Sequence, residues 1–62
     1  MQEKIEKARK LAIEKWGEKD YQEVKYIFDK ANQDEGYMDA IDAFIKNPKM
    51  NYIAFYDIAT ID

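Results

Sequence analysis

The chain of 62 residues contains neither cysteine nor histidine, and this absence constrains its fold more than any other feature. A chain this short buries only about 60% of the surface that its unfolded form exposes, so it usually needs a disulfide, a metal or a partner. Disulfides are excluded here, and zinc and haem lose their commonest ligands. Side-chain packing, alone or together with a partner, must therefore hold the fold together. The aromatic content of 15% suits that requirement, because each buried ring removes ~150–250 Å² from water.

Apolar residues recur at helical spacing in three segments, which predicts amphipathic helices at residues 3–16, 21–32 and 35–46. The predicted inward stripes are Ile5, Ala8, Leu11, Ala12 and Trp16, then Tyr21, Val24, Ile27, Phe28 and Ala31, then Tyr37, Met38, Ile41, Phe44 and Ile45. Opposite charges four residues apart are expected to pair on the outer side of the first helix. These pairs are Glu3/Lys7, Glu6/Lys10 and Lys10/Glu14.

Capping residues predict where these helices begin and end. Gly17 follows the last apolar residue of the first helix, where a left-handed C-terminal cap is expected. Asp20 and Glu23 form an Asp-x-x-Glu pattern, which predicts the start of the second helix. Asp34 is the predicted N-cap of the third helix. Pro48 disfavours helical geometry in the residue before it, so the third helix is expected to end there.

The last segment, NYIAFYDIATID, is apolar for a chain end and predicts a fourth helix at residues 52–61. Asn51 is its expected N-cap, and Met50 and Phe55 stand at the positions of a hydrophobic staple. The predicted inward face consists of Tyr52, Phe55, Tyr56 and Ala59. Ile53, Ile58 and Ile61 lie off this face, so the helix is apolar on nearly all sides and needs cover from several directions.

Together these elements predict an all-α fold, a single domain spanning residues 1–62 in which three amphipathic helices and a short fourth helix form a small bundle. The alternative is an α+β fold with residues 51–61 as a strand, because isoleucine favours β structure. The chain offers no second convincing strand to pair with it, which favours the helix.

The residue types argue against an enzyme. With no serine, cysteine or histidine, the usual nucleophile–base pairs are absent, and Thr60 is the only hydroxyl apart from the tyrosines. Two glycines do not make a phosphate-binding loop. The acidic residues Asp34, Glu35, Asp39 and Asp42 lack the spacing of a calcium loop and are expected to face water. We therefore predict no catalytic residue, no cofactor, no metal site and no small-molecule substrate.

The net charge of −3 is unevenly distributed: residues 1–19 carry +2 and residues 20–62 carry −5. An acidic chain with a single arginine lacks the basic surface that phosphate-backbone binding requires, so no nucleic-acid partner is expected. The charged N-terminus does not resemble a signal peptide, and no stretch approaches the ~20 apolar residues of a membrane span. These features predict no membrane binding, and a cytoplasmic location is the expectation.

The remaining functional signal is apolar and aromatic surface. Tyr26 lies about 160° from the centre of its helix's inward stripe and is expected to be exposed. Tyrosine is enriched at interfaces because it brings contact area at low entropic cost. The predicted protein-contact residues are Tyr26, Tyr52, Ile53, Tyr56, Ile58 and Ile61. The favoured function is a non-enzymatic protein–protein interaction module, acting on another protein or on itself through the C-terminal helix.

Two alternative functions are compatible with the sequence. The first is a designed or redesigned helical scaffold with no natural biochemical function, suggested by the regular caps and Glu/Lys pairs. The irregular loops and the unpatterned final segment argue against it. The second is a small acidic inhibitor that occupies a basic groove of its target, suggested by the −5 balance of residues 20–62.

Overall fold

The computed structural model describes residues 2–60 and confirms the all-α fold class. It contains four helices and one turn of 3₁₀ helix: α1 (Gln2–Trp16), α2 (Glu18–Asp29), the 3₁₀ turn (Ala31–Gln33), α3 (Glu35–Lys46) and α4 (Tyr52–Thr60). No strand occurs within the described part of the chain, so the α+β alternative with a strand at residues 51–61 is wrong.

The N-terminal caps of α3 and α4 are confirmed. Asp34 Oδ1 accepts hydrogen bonds from the backbone N–H groups of Gly36 at 2.9 Å and Tyr37 at 3.3 Å. Asn51 Oδ1 accepts from the backbone N–H of Ala54 at 2.8 Å. Each cap satisfies donors that the first helical turn leaves without partners, which explains why both starts were predictable from sequence.

The predicted start of α2 is wrong. The helix begins at Glu18 rather than after Asp20, and Asp20 lies within its first turn. Gly17 serves both neighbouring helices, because its N–H donates to the Ile13 carbonyl and its own carbonyl accepts from the Tyr21 N–H, each at 3.0 Å. Its φ of 88° and ψ of 156° belong to a region open essentially to glycine alone, not to the predicted left-handed helical cap.

The second helix also ends earlier than predicted, at Asp29 rather than at residue 32. The chain then tightens into the 3₁₀ turn, where the N–H of Gln33 donates to the carbonyl of Lys30 at 2.9 Å. The turn keeps Ala31 buried, so the inward stripe continues past the end of the α-helix. The helical spacing of buried apolar residues therefore continues beyond the end of α2.

The core contains most of the predicted inward residues. The buried side chains are Ile5, Ala8, Ala12, Tyr21, Val24, Ile27, Phe28, Ala31, Ala40, Ile41, Phe44, Phe55 and Ala59. All five inward positions predicted for the second helix are confirmed, four in α2 and the fifth, Ala31, in the 3₁₀ turn. Leu11, Trp16, Tyr37, Met38, Ile45 and Tyr52 are only partly buried and pack against this core. Tyr56 is exposed, contrary to its assignment to the inward face of α4.

Aromatic rings fill the centre of the bundle, with Phe55 of α4 as the common neighbour. Its ring stacks on Phe28 at 5.0 Å between centroids, meets Phe44 edge-on at 5.9 Å and lies 5.3 Å from Trp16. Such pairs add about 0.5–1.5 kcal/mol each beyond the area that they bury. The last helix is therefore part of the core, held by rings from α1, α2 and α3.

Polar side chains connect the helices in ways that differ from the expected pairs along α1. None of those three Glu/Lys pairs forms among the described residues. Instead Lys4 of α1 pairs with Asp42 of α3 at 2.6 Å, and Arg9 Nη1 donates to Asp29 Oδ1 at 2.7 Å and to the Tyr21 hydroxyl at 2.9 Å. These contacts fix α1 against two other helices.

Candidate interaction surface

Tyr52, Ile53 and Tyr56 of α4 line a surface groove together with Glu23 and Val24 of α2. The groove has a volume of about 310 Å³, and we call it the α2–α4 groove. Val24 is fully buried and forms its floor, whereas the other four residues form walls that solvent reaches. Three of the predicted contact residues therefore meet in one depression.

Tyr26 extends this surface beyond the groove. It lies close to the phenol of Tyr56 in α4, and its ring meets that of Tyr37 in α3 edge-on with centroids 5.9 Å apart. Partial burial, followed by the neighbouring phenols of Tyr56 and Tyr37, raises the pKa of Tyr26 above its ordinary value of 10.0. The phenol is neutral near pH 7, and its hydroxyl is able both to donate and to accept a hydrogen bond.

Three side chains on this surface are more exposed than their apolar character favours. Tyr26 is 37% exposed, Tyr56 44% and Ile53 55%. With ~150–250 Å² for a large side chain in the unfolded state, these exposed fractions amount to roughly 250 Å². Patches of a few hundred Å² on a small protein are often binding sites. Among the described residues only one other large apolar side chain, Ile13, is classed as exposed, and it lies on α1.

The fifth predicted contact residue, Ile58, does not line the groove. It is partly buried and packs against the core, as Tyr52 also does, and its assignment as a contact residue stays a prediction. It follows Ile53 by five residues, which places it about 140° around the helix from Ile53 at 100° per residue. Ile61 lies outside the described residues, and its assignment stays a prediction.

The groove is acidic at its edge. Glu23 lines it and makes no ion pair with any described residue. No lysine or arginine is among the residues that line the groove. A carboxylate next to exposed apolar side chains favours a ligand that combines a cation with apolar groups.

Sequence reasoning missed the α2 side of this site. The sequence predicts Glu23 only as part of a helix cap, although it precedes Tyr26 by three residues and so shares its side of the helix. Tyr37 was assigned to the inward stripe of α3, but it is only partly buried and contacts Tyr26. Which helices come together is a tertiary property, and the periodicity of a single helix does not reveal it.

Metal clusters and membrane-spanning helices have no counterpart in residues 2–60. No group of three or more carboxylate side chains there has a geometry that could hold a metal ion. None of the described helices is both long and apolar enough to cross a lipid bilayer. Comparison with protein-family models, with characterised proteins and with solved structures finds no match.

Proposed function

We propose that this protein is a non-enzymatic interaction module whose α2–α4 groove binds an apolar segment of another protein that also carries a basic residue. The observation that carries the proposal is the convergence of Tyr52, Ile53 and Tyr56 on one groove, with Tyr26 beside it. Exposed aromatic anchors beside a preformed depression are typical of the centre of a protein interface. The groove accommodates one or two side chains of such a segment.

The size of the surface favours a short segment over a second copy of the chain. One side of a standard protein interface buries ~800 Å², about three times the exposed area estimated for the three side chains. A two-fold dimer across this face would also bring the same patch of both copies together, and with it both Glu23 side chains. Each copy carries a net charge of −3, which adds to the repulsion.

The charge of Glu23 selects the kind of segment. An unpaired carboxylate at the rim of a groove accelerates association with a cationic partner and slows association with an anionic one. The same preference underlies the hypothesis of a small acidic inhibitor, since a basic groove on a target would present such a segment. The interaction module is the broader statement, and inhibition is one consequence that it could have for the partner.

A pair of matched peptides tests the proposal. One is a short helix-forming peptide with leucine on one face and lysine on the other, and its counterpart carries glutamate in place of lysine. We expect the lysine peptide to shift the backbone amide resonances of Ile53 and Tyr56, and the glutamate peptide to leave them unchanged. Raising the salt from about 50 to about 300 mM should weaken the binding, because rim charges are screened.

Two isoleucines provide a matched pair of variants. Ile53→Ser should weaken binding of the lysine peptide at least about tenfold, equivalent to ~1.4 kcal/mol. Ile13→Ser should leave it unchanged, because Ile13 is also exposed but lies on α1. Equal losses in both variants, or no shift at the groove with either peptide, would contradict the proposed site. A scaffold without a biochemical function would give the second result.

A further inference from the structure

A second and larger depression lies at the start of α4, and it shares no lining residue with the α2–α4 groove. Its volume is about 650 Å³, and we call it the lysine hollow. It is lined by Lys15, Trp16, Lys46, Asn47, Pro48, Lys49, Met50 and Asn51. These residues come from the end of α1, the end of α3 and the connection between α3 and α4, so the tertiary fold brings them together.

The lysine hollow concentrates positive charge in a chain that is acidic as a whole. Lys15, Lys46 and Lys49 are three of its ten basic residues, and no carboxylate lines the depression. None of these lysines forms an ion pair with any residue in the range 2–60. Lys15 and Lys46 also lie in the last turns of their helices, where a cation is favourable. Lys49 is in a turn, so the helix dipole does not account for its position.

The hollow also has apolar walls in a fixed arrangement. The indole Nε1 of Trp16 donates a hydrogen bond to the Met50 carbonyl at 2.8 Å, which ties the turn between α3 and α4 to the end of α1. The same indole ring lies 4.5 Å from the ring of Phe44 in the core. Trp16 and Met50 are both partly buried. The depression therefore combines an apolar surface, held in place by the contacts of Trp16, with three lysine side chains.

We propose that the lysine hollow binds an acidic peptide segment, one with two or more carboxylates flanking an apolar side chain. A depression of about 650 Å³ has the size of sites that hold ligands larger than one compact anion, which favours a peptide segment. The apolar lining from Trp16, Pro48 and Met50 is complementary to the intervening side chain. With the α2–α4 groove selecting basic segments, the protein then carries two docking surfaces of opposite preference.

Trp16 is the only tryptophan of the chain, so its fluorescence and its indole N–H resonance report on this hollow directly. The probe is a short peptide of alternating glutamate and leucine, titrated into the full chain. We expect saturable shifts of the Trp16 indole and of the Lys49 and Asn51 amides, and no shift of the Ile53 and Tyr56 amides. The affinity should fall as salt is raised, because the attraction is screened.

The decisive variant is Lys49→Glu, with Lys7→Glu as its control. Both substitutions change the net charge by −2, and Lys7 is an exposed α1 residue outside the hollow that makes no ion pair with a described residue. Lys49→Glu should reduce the affinity for the acidic peptide at least about tenfold, whereas Lys7→Glu should reduce it less than about twofold. Thermal unfolding followed by circular dichroism establishes that both variants fold.

Three results would overturn the inference. Equal losses in the two variants would show attraction by overall charge rather than by a site. Equal binding of a peptide with glutamine in place of glutamate would show that charge is not recognised. Displacement of the peptide by an equal concentration of inorganic phosphate would show a phosphate site instead. The two sites are followed through different residues. A negative result for the lysine hollow would therefore leave the proposal for the α2–α4 groove intact, and a negative result for the groove would leave the inference about the lysine hollow intact.

Discussion

Arg9 is the single residue that makes most of the polar contacts between α1 and α2. It lies on α1, donates hydrogen bonds to Tyr21 and Asp29 of α2, and places its guanidinium 5.9 Å from the centre of the Phe28 ring. Its Nε lies 3.4 Å from the carboxylate of Glu6. A planar group with five donors can serve several partners at once, which lysine cannot do.

The carboxylate of Asp29 gives this arrangement a measurable pH dependence. Hydrogen bonds from Arg9 and then from Lys25 hold the pKa of Asp29 below its ordinary value of 3.8. Because its pKa is lower when folded, its contribution to stability is present above pH 3.8 and is lost as the pH falls through the folded-state pKa. Asp29→Asn should therefore destabilise the protein near pH 6 and have a smaller effect below pH 3.8.

Urea unfolding at a series of pH values measures this difference. The control is the same substitution in an Arg9→Met background, where the pH-dependent part of the Asp29→Asn effect should largely disappear. An effect of Asp29→Asn that stays constant between pH 6 and pH 3 would refute the assignment. The half-exposed position of Asp29 means that the effect is screened by solvent, so low ionic strength is the appropriate condition.

These polar contacts were not predictable from the sequence, whereas the apolar core largely was. Spacing along one helix identifies which side chains face inward, as for Ile27, Phe28 and Ala31. It does not say which helix lies opposite. It therefore does not identify the partners of Arg9, which lie 12 and 20 residues away.

The junction of α1 and α2 shows the same contrast at the scale of elements. The sequence indicated a break at Gly17, which is correct, but it placed the next helix start three residues too late. The Asp20–Glu23 pattern misled because Gly17 can adopt a conformation that lets α2 begin at once. The starts of α3 and α4 were predictable, since Asp34 and Asn51 cap them through their own side chains.

Gly17 provides a prediction at this scale. Its φ of 88° and ψ of 156° are unfavourable for an L-residue, and a Cβ added there would meet nothing within 4 Å. Gly17→Ala should therefore cost about 1–3 kcal/mol of stability through backbone strain alone. Introducing D-alanine at the same position by chemical synthesis is the matched control, because its mirror-image preferences fit this conformation.

Chemical denaturation of the parent, of Gly17→Ala and of the D-alanine variant tests this prediction. The L-alanine variant should unfold at lower denaturant concentration than the parent, and the D-alanine variant should match or exceed the parent. Equal destabilisation by both residues would contradict the assignment to backbone strain, because this φ and ψ are unfavourable for the L-residue and not for its mirror image.

For the whole molecule, the position of α4 decides whether 62 residues suffice for a stable core. The helix packs most extensively against α3 and also contacts α2, and its Phe55 and Ala59 are buried. A domain of this length is expected to have only about 3–9 kcal/mol of stability at ~0.05–0.15 kcal/mol per residue. Loss of the buried Phe55 ring is therefore expected to remove a large part of the free energy of unfolding.

We predict that a chain ending at Lys49 does not fold, because removal of Phe55 exposes the rings of Phe28, Phe44 and Trp16 at once. Its amide NMR spectrum should lose the dispersion of a folded protein.

Phe55→Ala tests the same point with the rest of α4 in place and should cost about 3–5 kcal/mol, close to the whole stability. Tyr56→Ala, one position along, is the control and should cost far less, because Tyr56 is 44% exposed. A dispersed spectrum for the shortened chain would mean that α1, α2 and α3 form a core by themselves, and α4 would then have to be regarded as an attached element rather than a structural one.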